Sequence, residues 1–269
     1  PAYDVAEVAI EGPITQSGGG GPVPGPGRGV AADEAVERIR RADEDDAVEA
    51  LVLTLNTPGG EVVASEDIRH AAAEFDGPTV AYATNLCASG GMWIAAGCDE
   101  VHAREGSRVG SVGVIGASFG AQDLLERAGV EYRRFVAGEF KDSPSSFREL
   151  RDEEREYWQG LLDSWYEQFV ETVVDGRGMD AEAVRDTEAR VYLGTEAKEL
   201  GLVDALGPRD DMEQRLADRL DVPDVTVEEF EPRHSVGERL RGGARATARA
   251  LGAGVASVLV DDGHPDVRM

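Results

Sequence analysis

Residues 51–68, LVLTLNTPGGEVVASEDI, form the stretch that decides the fold. LVLTL, residues 51–55, is a short run of apolar and β-branched side chains, which is typical of a buried strand. NTPGG, residues 56–60, ends this strand, because proline and consecutive glycines interrupt regular structure. The residues that follow are expected to form a helix over 61–75. A buried strand that turns directly into a helix predicts an α/β protein with mainly parallel strands.

The same alternation of strand and helix continues on both sides of this stretch. We predict strands over 3–10, 79–84, 99–103, 112–118 and 131–137, and helices over 31–46, 121–129 and 150–175. Residues 180–206 are expected to hold a helix, a short strand and a turn, and residues 210–230 one more helix and one more strand. The prediction is a single α/β domain over 1–230, followed by a tail over 231–269.

The composition is strongly acidic and poor in lysine. Asp and Glu number 53 against 27 Lys and Arg, which gives a formal net charge of −26, and the only lysines are Lys141 and Lys198. Repulsion among so many carboxylates destabilises a compact state unless salt screens it, and at 1 M salt the Debye length is about 3 Å. The composition therefore indicates adaptation to high salt, with an acidic mesophilic protein as the alternative. It excludes a nucleic-acid binder, which needs a positive surface.

The tail differs from the rest of the chain in charge. Arg241, Arg245 and Arg249 fall on one helical face in an otherwise apolar segment, which predicts contact with an anionic membrane surface. An ordinary terminal helix that docks on its neighbour or frays is the alternative. No stretch reaches the roughly 20 apolar residues that span a bilayer. The chain begins at Pro1 with an apolar strand pattern, so we expect that an N-terminal leader or anchor has been removed.

Four glycine-rich or polar segments carry the candidate chemistry. They are NTPGG (56–60), ASGG (88–91), GSVG (110–113) and GEFKDS (138–143). Glycines directly after a buried strand leave backbone N–H groups uncovered, and two such groups aimed at one point form an oxyanion hole. Ser89 precedes a predicted buried helix, so its hydroxyl is placed as a nucleophile would be. A turn or packing serine is the alternative.

A serine nucleophile needs a base, and the histidines of this chain lie outside these motifs. They are His70, His102, His234 and His264. A Ser–His–Asp triad therefore has no support, whereas Lys141 lies in the fourth segment of a chain that otherwise avoids lysine. Nothing around the two cysteines, Cys87 and Cys98, indicates a zinc site or a disulfide framework, and we expect neither metal nor cofactor.

Lys141 acts as a base only when it is neutral. Its pKa must then fall from about 10.4 toward about 7–8, and burial away from carboxylates supplies such a shift. The hydroxyl of Ser111 would orient the amine without adding a charge. The flanking carboxylates of Glu139 and Asp142 must point away from it.

On three stretches the sequence resembles the signal peptide peptidase A family, Ser–Lys proteases related to the proteolytic subunit of Clp protease and to crotonases. The stretches are LVLTLNTPGGEVVASEDI, ASGGMWIAAGCDEVHA with GSRVGSVGVIG, and GEFKDSPS. The resemblance covers about residues 5–207 and looks haloarchaeal in type. It implies Ser89 as nucleophile, Lys141 as general base, Ser111 as the lysine-orienting hydroxyl, and the amides of Gly60 and Gly90 as the oxyanion hole.

The family implies a crotonase/Clp-like superhelix of ββα units, with a long helix after the catalytic loop. It also implies a homo-oligomeric ring or dome in which neighbouring subunits supply the serine and the lysine of one site. The expected activity is serine endopeptidase cleavage of residual signal peptides, or of other short or unfolded hydrophobic polypeptides, at the membrane. A membrane anchor would place the protease domain outside the cytoplasm. An acyl-CoA enzyme and a non-catalytic membrane-associated scaffold of the same fold are the alternatives.

Overall fold

The computed structural model describes residues 3–17 and 29–232. Its helices and strands follow in chain order: β1 (Val5–Glu11), β2 (Ile14–Thr15), β3 (Val30–Ala31), α1 (Ala32–Asp43), β4 (Ala50–Thr57), α2 (Val62–Ala73), β5 (Thr79–Ala88), α3 (Gly90–Ala95), β6 (Glu100–Ala103), β7 (Arg108–Gly110), α4 (Gln122–Arg127), α5 (Asp152–Arg177), α6 (Ala181–Asp186), β8 (Val191–Leu193), α7 (Gly194–Glu199), β9 (Ala205–Leu206), α8 (Arg209–Leu220) and β10 (Val227–Glu229). The predicted α/β fold is confirmed.

The main sheet runs in the order β10-β1-β4-β5-β6-β9, and all of these neighbours are parallel. Beyond the end of β6, β7 takes the place beside β5, and β8 pairs antiparallel with β7. A parallel sheet aligns the carboxyl ends of its strands along one edge, where ligand sites of α/β proteins form. The segments after β4, β5 and β7 therefore leave the sheet on the same side.

Strand β4 lies at the centre of the sheet and is covered on both faces. Leu51, Leu53 and Leu55 join the core formed with α1, α2 and α3, whereas Ala50 and Val52 pack with Met212 and Leu216 of α8. A strand covered on both faces needs apolar residues at consecutive positions rather than at alternate ones. This explains why the run LVLTL lacks a polar alternation.

The long helix predicted over 150–175 is present as α5. Three acidic residues, 152–154, occupy its first turn, where the helix dipole favours negative charge. It ends at Arg177, and the following Gly178 has the left-handed conformation (φ 62°) common after a helix C-terminus. Phe169, Val170 and Val173 are its buried apolar residues, and they attach the helix to the main core.

Two of the predicted strands are wrong, and one helix was not predicted. Residues 112–118 leave the sheet, because the strand at this place is β7 and it ends where Ser111 adopts a left-handed conformation (φ 54°). Residues 131–137 are exposed throughout and form no strand, since no neighbouring strand in the described residues pairs with them. Residues 180–206 were expected to hold one helix, a short strand and a turn. Within this range residues 194–199 form a second helix, α7.

The residues up to Phe230 cluster as one compact unit. Apart from its first two residues, the predicted tail over 231–269 lies outside the described residues, as do Pro1, His234 and His264. The division of the chain at residue 230 and the membrane contact of Arg241, Arg245 and Arg249 stay predictions. In the described ranges, no helix combines the length and the apolar character needed to cross a bilayer.

Candidate active site

Ser89 lies at the sharp turn between β5 and α3. Its backbone has φ 54° and ψ −118°, a conformation that is costly for a residue other than glycine. Two hydrogen bonds fix the turn: the Ser89 amide donates to the Gly110 carbonyl (3.0 Å), and the Trp93 amide donates to the Ser89 carbonyl (3.0 Å). Strained residues held in this way cluster at active sites. The serine is partly exposed while its neighbours Ala88 and Gly90 are buried.

The NTPGG segment packs directly against this turn. Gly59 has φ 90°, and a Cβ atom added to it would lie 2.5 Å from the Gly90 nitrogen and 2.8 Å from the Ser89 Cβ. A Cβ at Gly60 would lie 2.0 Å from the Ile14 carbonyl oxygen. The Thr57 hydroxyl accepts a hydrogen bond from the Gly59 amide (3.0 Å) and donates one to the Gly12 carbonyl (2.6 Å). Gly59 is therefore required for the close approach of this segment to the Ser89 turn, and Gly60 for its close approach to Ile14.

The amides of Gly60 and Gly90 are free to bind an anion. In the described part of the chain neither N–H group has an acceptor, whereas the neighbouring amide of Glu61 donates to the Ile14 carbonyl (3.0 Å). Both glycines line the same pocket as Ser89. Two uncommitted N–H donors beside a serine have the composition of an oxyanion hole.

The pocket beside Ser89 is uncharged, with apolar side chains alongside glycines and serines. It contains about 420 Å³ of space, part of it open to solvent, and is lined by Gly60, Val62, Ser65, Ser89, Gly90, Trp93, Gly113, Val114, Ile115 and Phe169. The rings of Trp93 and Phe169 lie 4.6 Å apart between centroids with their planes tilted by 36°, and both residues are buried. The nearby thiol of Cys87 cannot replace the serine as nucleophile, since burial raises its pKa to about 12.

Ser111 occupies the equivalent position on the neighbouring strand. Ala88 of β5 pairs with Gly110 of β7, so Ser89 and Ser111 are the next residues on adjacent parallel strands. Both have φ 54°. The amide of Ser111 donates to the Arg190 carbonyl (2.8 Å), which fixes the turn after β7. The structure thus brings Ser111 to the edge of the sheet where Ser89 lies.

Lys141 lies in a different segment, which we call the arm and define as residues 114–150. The side chain is exposed, and Lys141 is not among the residues that line the Ser89 pocket. Its amide donates to the Gly138 carbonyl (3.1 Å), closing a tight turn. Within one chain the structure therefore brings together Ser89, Ser111, Gly60 and Gly90, but it leaves Lys141 solvated rather than buried as its proposed chemistry requires.

The carboxylates that flank Lys141 are bound to arginines. Asp142 accepts hydrogen bonds from Arg134 (2.8 Å) and from Arg148 (3.0 and 3.1 Å). These two guanidinium groups hold the pKa of Asp142 well below its usual range. Glu139 pairs with Arg151 (2.5 Å). Both carboxylates are thus engaged elsewhere, as a neutral Lys141 requires.

Comparison with known proteins identifies the family. Residues 72–223, more than half of the chain, match the sequence model of peptidase family S49. The chain is 37% identical over 215 residues to "Putative protease slr0021" of Synechocystis sp., covering 78% of each protein. It is 35% identical over 197 residues to "Putative signal peptide peptidase SppA" of Enterococcus faecium, covering 72% of this chain and 57% of that relative. The chain belongs to peptidase family S49.

A solved structure shows the same fold. The 1510-N membrane-bound stomatin-specific protease, solved as a serine-to-alanine mutant, superposes with a TM-score of 0.54 at 17% identity, covering 87% of this chain and all of that one. The resemblance predicted from the motifs is confirmed, and this S49 peptidase is a serine protease by its family. The family assignment disfavours the acyl-CoA enzyme and the scaffold.

Neither described histidine of this S49 peptidase lines the Ser89 pocket. His70 is exposed on α2 beside Glu66 (3.7 Å). His102 is buried in β6 against the ring of Tyr82 (5.7 Å between centroids). The sequence argument against a Ser–His–Asp triad therefore agrees with the places of these two residues.

Two groups of residues beside the site were not predicted. The first is the buried pair Trp93 and Phe169, whose packing brings together α3 and α5 from distant parts of the sequence. The second is Arg148 with Glu154: the carboxylate of Glu154 is fully buried and accepts from both ends of the Arg148 guanidinium (2.6 and 2.7 Å). The alternation of basic residues with the acidic run 152–154 was the available signal for the second group.

Proposed function

We propose that this S49 peptidase is a serine endopeptidase with Ser89 as nucleophile and Lys141 as general base. The observation that carries the proposal is the turn at Ser89. A strained serine lies between two loops that supply uncommitted N–H groups, and an uncharged pocket opens beside it. The assignment of Lys141 is supported by the match of its segment to the family motif and by the engagement of both flanking carboxylates with arginines.

The reaction would proceed through an acyl-enzyme. The Ser89 hydroxyl gives its proton to the neutral Lys141 amine while the oxygen forms a bond to the peptide carbonyl carbon. The amides of Gly60 and Gly90 bind the resulting oxyanion, and loss of one such donor costs about 3–4 kcal/mol in the transition state. Protonated Lys141 then gives the proton to the leaving amine as the C–N bond breaks. Water, deprotonated by Lys141, hydrolyses the ester and restores the serine.

A second copy of the chain would complete the site. Lys141 is solvated in the single chain, and the arm that carries it exposes large apolar side chains, among them Phe119 (88%), Leu124 (69%) and Phe135 (93%). Exposed apolar residues concentrated in one segment indicate a protein–protein interface. We infer a homo-oligomeric ring or dome in which the arm of one subunit covers the Ser89 pocket of its neighbour, buries the amine and brings it near Ser111.

The substrate class follows from the pocket and from the names of the relatives. An uncharged pocket floored by Trp93 and Phe169 accepts an apolar side chain next to the scissile bond. One relative is named a signal peptide peptidase and one neighbour a membrane-bound protease. We therefore propose residual signal peptides, and other short or unfolded hydrophobic polypeptides, as substrates at a membrane surface, with the protease domain outside the cytoplasm.

Hydrolysis of an apolar peptide in molar salt tests the two catalytic roles. Ser89→Ala and Lys141→Ala should each abolish activity while assembly, measured by size-exclusion chromatography, is unchanged. Lys141→Arg should be equally inactive, because a guanidinium does not lose its proton. Lys198→Arg is the matched control, since it changes the only other lysine of the chain. Retained activity in Lys141→Ala would refute the lysine as base.

Mixing the two inactive variants tests the shared site. If neighbouring subunits supply serine and lysine, refolding Ser89→Ala together with Lys141→Ala creates sites with an intact pair, about a quarter of the wild-type number in a randomly mixed ring. If both residues come from one chain, mixing restores nothing. The variants assayed separately under the same refolding conditions provide the baseline.

A further inference from the structure

The turn that carries Lys141 is fixed to the start of α5 by a charged network and by aromatic contacts. Arg148 bridges Asp142 and Glu154, and Arg151 bridges Glu139 and Glu154. The rings of Phe140 and Tyr157 are 5.3 Å apart between centroids, and the Trp158 indole donates to the Ser143 hydroxyl (3.0 Å). The turn is thus held in place although the described chain leaves Lys141 itself solvated.

The network binds the two carboxylates that flank the lysine in sequence, Glu139 and Asp142, and the buried acid Glu154 of α5. Asp142 is bound by two guanidinium groups, from Arg134 on one side of the turn and Arg148 on the other. Glu139 is bound by Arg151, whose guanidinium also lies over the ring of Phe140. Glu154, the acid of α5 that faces the turn, is bound by both Arg148 and Arg151. The ring of Tyr157, another titratable residue of α5, contacts Phe140 of the turn.

We propose that Arg134 and Arg148 are positioning residues for Lys141: by binding Asp142 they keep its carboxylate away from the amine and leave the amine able to lose its proton. This inference rests on the proposed function, because it assigns these arginines a role in the base chemistry of Lys141. Asp142 directly follows Lys141 in the chain. Without its two arginine partners, the Asp142 carboxylate would have the Lys141 amine as its neighbouring cation in sequence. A carboxylate within about 4–6 Å stabilises the charged amine and opposes its action as a base.

Arg134 and Arg148 differ in whether they also bind the buried carboxylate of Glu154. Glu154 is fully buried, so loss of Arg148 leaves a buried carboxylate with Arg151 alone, which is destabilising. Arg134 contacts Asp142 and the Glu139 carbonyl and has no bond to Glu154. Arg134→Gln therefore weakens the hold on Asp142 without exposing the buried acid, whereas Arg134→Gln/Arg148→Gln releases Asp142 completely.

Chemical modification of the amines measures the predicted change without requiring activity. The chain has two lysines, and the exposed Lys198 of α7 is an internal control. The rate of acetylation of each lysine by acetic anhydride is followed by mass spectrometry across a pH series at one fixed salt concentration. Arg134→Gln/Arg148→Gln should move the titration of Lys141 to higher pH by about one unit, which lowers its reactivity about tenfold below that pH. Lys198 should not change.

Removal of the Asp142 carboxylate tests whether the shift in the Lys141 titration can be reversed. Adding Asp142→Asn to the double variant should restore the titration of Lys141, and the acid limb of kcat/KM should move and return in parallel. Arg185→Gln, which breaks the exposed pair with Glu167 on another part of the chain, is the matched control and should leave both profiles unchanged. If the double variant does not fold by circular dichroism, Arg134→Gln should give a smaller shift in the same direction.

The outcomes separate this inference from the proposed function. A uniform loss of activity at all pH values, with the Lys141 titration unmoved or not restored by Asp142→Asn, shows a merely structural network and overturns the inference. A shifted and rescued titration in a protein without Lys141-dependent hydrolysis supports the control of the amine by Asp142 but refutes the proposed function. A shift in both measurements, reversed in both by Asp142→Asn, supports the two together.

Discussion

The segment that carries Ser89 and the NTPGG loop, residues 50–113, and the arm that carries Lys141, residues 114–150, differ in how far the rest of the chain covers them. Most residues of the first segment are buried, and its strands pair in register within the main sheet. No residue of the arm, all of which is described, is buried, and its one helix is the short α4. The nucleophile is thus placed by the core of one chain, whereas the proposed base is placed by surface charges and rings.

This difference indicates where each half of the site obtains its accuracy. A serine in a strained turn needs close packing around it, and the glycine contacts at Gly59 and Gly60 provide that packing within the chain. A lysine that acts as a base needs dry surroundings, which the single chain does not provide. We therefore expect damage to the first segment to affect folding and activity together, and loss of an exposed apolar side chain of the arm to affect assembly and activity but not the stability of the subunit.

The largest effect is expected from Gly60→Ala. The added Cβ would lie 2.0 Å from the Ile14 carbonyl oxygen, a backbone atom that cannot move without disrupting the pairing of Ile14 with Gly60. We expect a loss of about 3 kcal/mol in the free energy of unfolding and loss of peptidase activity. Thermal and denaturant unfolding followed by circular dichroism in molar salt measure the first.

Gly120→Ala is the control for this prediction. It lies in the arm, and a Cβ there would have no neighbour within 4 Å, so the free energy of unfolding should change by less than about 0.5 kcal/mol. If the two alanines destabilised the chain equally, the contrast between a packed and an open segment would be wrong.

Phe135→Ser, in contrast to Gly60→Ala, should leave the stability of the subunit unchanged but weaken assembly and activity. The ring is 93% exposed in the single chain, so its removal should change subunit stability by less than about 0.5 kcal/mol. If the arm covers a neighbouring subunit, the same change should shift the size-exclusion profile toward the single chain and lower kcat/KM at least about tenfold, as for a residue at the centre of an interface. Leu200→Ser, an exposed apolar position outside the arm (41%), is the control. Unchanged assembly and activity in Phe135→Ser would contradict the role of the arm.

The first segment was largely predictable from sequence because its signals are local. The apolar run before each glycine pair predicted β4 and β5, and the small residues around Ser89 predicted the turn into α3. The register that places Ser111 beside Ser89 depends on the pairing of β5 with β7, which no local pattern specifies. The resemblance to the family, rather than any periodicity, supplied that neighbour.

The arm was poorly predictable for a physical reason. Tyr132, Phe135 and Val136 lie in the segment 131–137 that was predicted as a strand, but a strand also needs a partner for its backbone, and in the described chain this segment has none. The charged network was missed because ion pairs leave no period in a sequence. The pairing of Arg134 and Arg148 with one carboxylate follows only once the chain turns at 138–143.

A more moderate effect is expected at the floor of the pocket. Phe169 is buried and its ring contacts that of Trp93, so Phe169→Leu deepens the pocket beside Ser89 at a modest cost in stability. With matched peptides that differ only in the residue before the scissile bond, kcat/KM for phenylalanine relative to alanine should rise about tenfold, as one or two methylene groups of added space allow. Val173→Leu, a buried change on the same helix away from the pocket lining, is the control. An unchanged ratio would place the specificity pocket elsewhere.

The smallest expected effect is on the pH dependence of stability, which should differ between the two segments. Burial lowers the pKa of His102, so the unfolded chain binds a proton more readily and stability is fully present only above the ordinary value near 6.5. As the pH falls from about 7.5 to about 5.5, the free energy of unfolding should decline by at most about 1.4 kcal/mol per unit, and His102→Gln should remove this slope. Arginines hold the pKa values of Asp142 in the arm and of Glu154 in α5 below their usual range. The contribution of these two carboxylates to stability is therefore fully present above about pH 4 and is lost only on further acidification. Unfolding measured across both windows, in wild type and in His102→Gln, checks the assignment. A slope between pH 5.5 and 7.5 that persists in His102→Gln would show that the buried segment does not titrate through this histidine.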